Sequence, residues 1–297
     1  MDGDPSRLSV HPAPASGYAG AMSITMAGGP LATDAPEAVN YRMEGPEHRL
    51  FLGPFPRRVR GVLNGRTVLD TQDGALLHET GRLPQLYVPQ IDVAGHLLEA
   101  GETVEHCPFK GEARFSTLVV DGARARDAVW SFPQPAPGAG WLRGYHGVAF
   151  DALDAWYDEA EQVRGHLRDP YHRVDTRPTD RRVRVSVGRT VLAETAHAVL
   201  LSETGLPNRL YVPPGDVHAD ALTPSTTTSH CPYKGDADYA GASGTEDVAW
   251  RYREPFPDAV AVAGHWCFDE TRVRVESDTR SSPAERGHSR SVRPRWL

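Results

Sequence analysis

The sequence predicts a mainly β protein: two tandem, small, antiparallel β-barrel-like domains, with one linker helix near residues 153–167. Three observations carry this prediction. A set of motifs recurs at a fixed offset. Short stretches inside each copy alternate apolar and polar residues, as half-buried strands do. Gly, Pro and Asp punctuate those stretches at close intervals, the pattern of antiparallel barrels and bent sandwiches.

The duplication is read directly. Glu105 to Gly111 spells EHCPFKG and Ser229 to Gly235 spells SHCPYKG, so His106 and His230 lie 124 positions apart. The same offset relates Arg58-Val59-Arg60 to Arg182-Val183-Arg184, Glu79-Thr80-Gly81 to Glu203-Thr204-Gly205, Leu86-Tyr87-Val88-Pro89 to Leu210-Tyr211-Val212-Pro213, and Asp92-Val93 to Asp216-Val217. Gly65 to Leu69 matches Gly188 to Leu192 with a one-residue slip. Beyond the motif the offset falls to 120 at Trp130 and Trp250, as if a loop had shortened, and to 118 at Phe150-Asp151 and Phe268-Asp269. Each copy spans about 100 residues, the size of a small domain.

In chain order, residues 1–45 are rich in Gly, Ala, Pro and Ser and read as a disordered N-terminal segment. Residues 46–168 read as the first repeat domain with a closing helix. That helix is inferred from Trp156, Ala160, Val163 and Leu167, spaced by three and four, with Asp151 or Asp154 as cap and Pro170 beyond its end. Residues 169–276 read as the second repeat domain, where Arg182 to Val187 alternates with period two. Residues 277–297 carry five arginines among Ser and Pro and read as a disordered basic tail.

Composition narrows the function classes. Net charge is −7 and pI about 6.0, without the basic footprint of a nucleic-acid binder. No run of about 18 apolar residues is present, so no membrane partner is expected. The start, Met-Asp-Gly-Asp, lacks a signal-peptide pattern, and three cysteines form no disulfide framework; the expected location is cytoplasmic. There is no phosphate-binding Gly-rich loop, and no cofactor is expected.

Lysine usage singles out the motif. Lys110 and Lys234 are the only lysines among 32 Lys and Arg residues. Where arginine serves everywhere else, a retained lysine points to a need for a compact, deprotonatable ammonium. Candidate catalytic groups are Lys110, Cys107 and Glu79, with Lys234, Cys231 and Glu203 in the second copy. Candidate ligand-binding residues are Arg60, Glu79, Tyr87, His106, Lys110 and Trp130, matched by Arg184, Glu203, Tyr211, His230, Lys234 and Trp250. Lysine would hold an anion or carbonyl, Glu would orient it or act as base, and the aromatics would form walls. A metal is not expected: each copy offers one His and one Cys, and adjacent strand residues face opposite ways. Two further readings stand beside the pocket. A thiol next to a lysine is a potential nucleophile, though an isolated Cys is commonly a small buried hydrophobe. The lysine can also serve only to fix a turn by pairing with Glu79 or Asp92, which makes each repeat a structural or protein-interaction module. The two repeats are expected to pack as a pseudo-dimer.

Taken together, Arg-Val-Arg-Val, Leu-Leu-x-Glu-Thr, Leu-Tyr-Val-Pro, His-Cys-Pro-Tyr-Lys-Gly and Ala-Trp-x-Tyr resemble the family called domain of unknown function 427, sometimes labelled nucleotidyltransferase-like. The resemblance spans about residues 55–152 and 170–275. It implies a tandem arrangement and a fold similar to the β-tent group, which includes methionine sulfoxide reductase B and the ligand-binding domain of cereblon. Some of that group bind zinc through two Cys-x-x-Cys elements; this chain has none, and it lacks the Gly-Ser and paired-Asp signature of nucleotidyltransferases. The resemblance implies a fold and no established activity.

Overall fold

A computed structural model describes residues 45–278, together with positions 24 and 40. Nearly all of the expected N-terminal segment, and the tail beyond Asp278, lie outside the described residues.

The first repeat contains β1 (Leu50–Phe55), β2 (Val59–Leu63), β3 (Arg66–Thr71), β4 (Gly74–Glu79), β5 (Gln85–Pro89), β6 (Leu98–Cys107), β7 (Gly111–Val120), β8 (Ala123–Ser131), β9 (Tyr145–Val148), β10 (Ala155–Asp158) and β11 (Glu161–Val163). The second contains β12 (Val174–Pro178), β13 (Arg182–Val187), β14 (Thr190–Thr195), β15 (Val199–Glu203), β16 (Arg209–Val212), β17 (Thr223–Cys231), β18 (Gly235–Ala242), β19 (Thr245–Tyr252), β20 (Trp266–Phe268) and β21 (Arg274–Asp278). β21 takes in Ser277 and Asp278, the first two residues of the expected tail.

Each repeat has a seven-stranded sheet, ordered β1-β4-β5-β9-β8-β7-β6 and β12-β15-β16-β20-β19-β18-β17. A smaller sheet, β11-β10-β2-β3 or β14-β13-β21, completes it. The pairing between strands is antiparallel, as at β1–β4, β5–β9 and β12–β15. The protein is therefore mainly β and twice repeated, as expected. The sheets are not closed barrels. β1 and β6, like β12 and β17, end their sheets with a neighbour on one side only. The sequence pattern gives strand alternation but not closure, which depends on how the end strands meet.

The linker helix is replaced by strands. Trp156 and Val163 are cross-strand partners in a β10–β11 hairpin, and Asp158 faces Glu161. Glu159 takes φ +54° in the turn between them. A spacing of seven fits two helical turns and equally fits partners across this hairpin, so the pattern could not separate them. Packing decides for the strand: Trp156 is buried, stacks on Phe150 at 4.9 Å and donates its indole N–H to the Phe150 carbonyl. Asp154, one of the two expected caps, instead accepts from the Asn64 backbone amide.

Two apolar clusters flank each seven-stranded sheet. In the first repeat the main core holds Phe55, Val59, Leu69, Leu76, Val88 and Val129, between the large and small sheets. On the other face lie Leu77, Tyr87, Ala113, Phe132, Ala139 and Leu142, the last two from the 3-10 segment Pro137–Leu142. Leu76 and Leu77 serve opposite faces, which is the period of two at work, and all of β4 is buried. The second repeat builds the same second-face layer from Leu201, Tyr211, Ala237, Tyr252, Ala259 and Val262. The candidate site lies on this second face.

Register refines the duplication. Leu69 bridges Val93 and Ala193 bridges Val217, so the offset of 124 runs through the β2–β3 hairpin without the one-residue slip. Val148 and Phe268 occupy equivalent places opposite Val129 and Ala249, so the offset there is 120, and the Phe-Asp match at 118 is not a structural one. The change from 124 to 120 falls in the arms of one hairpin. Ser116–Val129 and Val120–Ala123 in the first repeat correspond to Ala240–Ala249 and Ala242–Thr245 in the second.

Candidate functional site

The motif forms the tight turn between β6 and β7. Cys107 pairs with Gly111 and Cys231 with Gly235 across the hairpin. The two motif glycines take φ +102° and +101°. A Cβ on Gly111 would come within 2.9 Å of the Ala136 amide nitrogen and the Gln134 carbonyl oxygen, so the turn needs glycine both for its backbone and for close approach. The segment behind it is tied down by Ala136 N–H donating to the Lys110 carbonyl and Phe256 N–H to that of Lys234.

This turn delivers the lysine to the end of β4. Lys110 Nζ donates to Glu79 Oε2 at 2.5 Å, with side-chain exposures of 13% and 7%. Lys234 donates to Glu203 in the same way. The carboxylate has a second partner in each repeat: His48 Nε2 lies 3.0 Å from Glu79 Oε1, and His172 Nε2 lies 3.0 Å from Glu203 Oε1. Each imidazole stacks on the motif aromatic. His48 lies over Phe109 at 3.8 Å, and His172 over Tyr233 at 4.0 Å. Three separate chain segments thus bring an ammonium, a carboxylate and an imidazole together, twice. Burial opposes ionisation of Glu203, but the His172 hydrogen bond and the Lys234 charge hold its carboxyl below the ordinary range.

The wall beside this centre is a row across the sheet. Tyr87 faces Gly147, Gly147 faces Trp130, and Trp130 faces Phe115. Gly147 has no side chain, and the Trp130 indole occupies that space: a Cβ there would sit 2.3 Å from the ring. The indole N–H donates to the Tyr87 hydroxyl at 3.1 Å. In the second repeat Cys267 stands at the Gly147 position, and Trp250 reaches Tyr211 at 3.3 Å. Burial raises both tyrosines well above their ordinary pKa, so neither hydroxyl is a base near neutrality.

The thiols lie among apolar side chains. Cys107 and Cys231 lie at the edge of the second-face clusters. Burial raises the Cys231 thiol, although nearby Lys234 and backbone hydrogen bonds from Tyr233 and Lys234 work against it. Cys267 is fully enclosed and pushed up to about 12. Neither has the lowered pKa of a nucleophile.

Of the residues singled out from the sequence, Glu79, Tyr87, Cys107, Lys110 and Trp130 come together, as do their counterparts. Four others do not. His106 faces Glu112 across the hairpin, on the side of the strand away from Cys107, and His230 bonds Asp236 at 2.7 Å. Arg60 lies over the Tyr157 ring and donates to the Glu159 carbonyl, while Arg184 pairs with Glu194, both in the small sheets. Asp92 is not the lysine's partner: Thr71 donates to it, as Thr195 does to Asp216. The imidazoles of the centre, His48 and His172, escaped notice. Their signal was present, because Pro46-Glu47-His48-Arg49 and Pro170-Tyr171-His172-Arg173 share the offset of 124.

Among the described residues no group of three or more His, Cys, Asp or Glu is placed to hold a metal ion, and no helix is long and apolar enough to cross a membrane. The family described as "Domain of unknown function (DUF427)" matches residues 52–159 and 175–279. The chain belongs to that family. Its two DUF427 segments coincide with the two sets of sheets. No curated protein matches the chain. The Lys–Glu pair lies within each DUF427 segment, whereas His48 and His172 come from the residues just before each segment.

Proposed function

We propose that the Lys–Glu–His centre of the first repeat is a binding point for a small anionic or carbonyl ligand, with the Tyr87–Trp130 pair as its wall. The observation that supports this most is the trio itself. A turn needs at most one ion pair, and arginine supplies those elsewhere in this chain. Here the sole lysine of each repeat is joined by an imidazole from a distant segment. Glu79 accepts one of the three ammonium N–H groups of Lys110. In this reading a ligand oxygen takes another, and His48, 24% exposed, is the side of the centre that solutes reach. An ammonium beside a carboxylate suits carbonyl polarisation or simple anchoring.

The test is a thermal-shift screen of the full chain against small carboxylates, inorganic phosphate and simple aldehydes. Wild type is compared with Lys110→Met and Lys110→Arg. Stabilisation by one class that is lost in both variants, with the fold intact, supports the site. Stabilisation retained in Lys110→Met counts against it.

A second reading has its own observation. Two surface depressions lie elsewhere, around Arg182, Glu194, Thr195 and Asp216 (about 640 Å³) and at the matched Arg58, Asp70 and Asp92 (about 500 Å³). In this view the motif only fixes the fold, and the chain is an interaction module whose repeats act as a pseudo-dimer. A large stability loss in Lys110→Met with no ligand response in wild type favours it.

A further inference from the structure

Residues 164–172 connect the repeats, and they do more than span a gap. They lie along the second motif. Arg168 donates through Nε to the Pro232 carbonyl at 2.7 Å and stacks on Phe256 at 4.6 Å. The Asp169 amide donates to the Tyr233 hydroxyl at 2.8 Å, and Arg164 pairs with Asp236 at 2.5 Å. The segment ends in His172, the imidazole of the second centre, whose side chain is 1% exposed.

The same segment faces the first repeat. Asp169 Oδ2 lies 3.9 Å from Nδ1 of His78, which is the β4 neighbour of Glu79; both side chains are 1% exposed. Tyr171 closes over His78 at 5.4 Å, and Phe51 stacks on it at 5.6 Å. Neither His78 Nδ1 nor Asp169 Oδ2 has a hydrogen-bond partner. His166 bonds the Leu167 carbonyl through Nδ1, and its buried Nε2 has no partner either. Two orphaned polar atoms in one short segment, with a third facing it from β4, are a costly arrangement that calls for an explanation.

We propose that this segment is an acid-released strap: protonation of His78 and His166 frees it from the second motif and uncovers the Lys234–Glu203 centre. The charge environment sets the direction. His78 is faced by Asp169 and Tyr171 of the strap. His166 is faced by Asp169 and His172 of the strap and by His230 and Tyr233 of the second repeat. A proton on His166 Nε2 would have no acceptor, with two further imidazoles nearby. On His78 the loss of hydration outweighs the pull of Asp169, and burial lowers both imidazoles below their ordinary pKa. The closed state therefore binds protons more weakly than the released one, so closure holds above the ordinary histidine pKa and is lost as pH falls below it. The inference rests on the proposed function only for the use made of the uncovered centre.

Hydrogen exchange of residues 164–172 in the full chain, corrected for intrinsic rates, tests the release. Protection is expected to fall about tenfold between pH 7.5 and 5.5, and to stay level in a His78→Gln/His166→Gln variant. A wild-type strap equally protected at both pH values overturns the proposal. So does an NMR titration placing both imidazoles at or above their ordinary value, a readout that needs no variant. Amine labelling at fixed neutral pH tests the covering. In Arg168→Ala/Asp169→Ala, Lys234 should label several-fold faster while Lys110 is unchanged; an unchanged Lys234 in a variant whose strap exchanges freely overturns it. No ligand enters these measurements, so the strap can fail while the first-repeat site stands, or the reverse.

Discussion

The two repeats hold the same ion pair in different enclosures. In the second, His172 is 1% exposed, and the strap amide of Asp169 holds the Tyr233 hydroxyl. In the first, His48 is 24% exposed, Phe109 has no hydroxyl, and Gly45 stands where Asp169 stands. The lysines differ little, at 13% and 11% side-chain exposure. Duplication kept the centre and changed its cover. The polar trio is thus separable from its enclosure, and the comparison between repeats becomes an internal control.

The largest expected effect comes from breaking that shared core. Glu203→Ala strands a buried ammonium and should cost about 3–5 kcal/mol, measured by denaturant unfolding of the second repeat. Glu79→Ala should cost a similar amount in the first, since its pair is nearly as enclosed; a far smaller loss there would show that the pairs are not equivalent.

The imidazoles should separate the repeats. His172→Ala removes a buried, stacked and hydrogen-bonded ring and should cost about 2–3 kcal/mol, while His48→Ala should cost about 1 kcal/mol or less. Equal losses would erase the difference in enclosure.

The aromatic row gives a third contrast. Gly147→Cys imposes the second-repeat residue on the first and drives a Cβ into the Trp130 indole; a loss of about 1–3 kcal/mol is expected, with altered tryptophan fluorescence. Gly147→Ala should behave alike, because the first added carbon does the damage.

Acid gives a smaller effect. The lowered pKa of Glu203 means that its contribution to stability is present above the ordinary Glu value and is lost as pH falls through the lowered one. Lys234→Met should move that loss to higher pH in an acid unfolding curve. Smallest of all, Tyr233→Phe should cost about 1 kcal/mol by freeing the Asp169 amide, while Phe109→Tyr should change stability by less than about 0.5 kcal/mol.

Much of this was legible in the chain. The offset of 124 exposes the repeat, and the matches at Glu79, Tyr87 and Lys110, with Trp130 at 120, mark residues that do meet. Strand alternation alone puts His106 and Cys107 on opposite faces. What was illegible was long-range. The spacing of Trp156 and Val163 serves a helix or a hairpin, and only burial against Phe150 and β2 settles it. The sequence pattern likewise cannot say where end strands meet, so open sheets could not be told from barrels. His48 lies in the expected first repeat, just before the matched motifs begin, and its offset of 124 from His172 is the one signal that marks it.

The β7–β8 hairpin and its counterpart carry one more lesson. The second repeat lacks two residues from each arm, yet both keep the Gly turn and the Asp127 or Asp247 kink at φ +51°, whose carboxylate accepts from a threonine two strands away, Thr103 on β6 or Thr227 on β17. Removing one residue from one arm would rotate every later side chain to the wrong side of the sheet. Length in such a ribbon is therefore exchanged in steps of four, a pair from each leg. The tip of β7–β8 is the place where this scaffold accepts lengthening, provided the insertion respects parity.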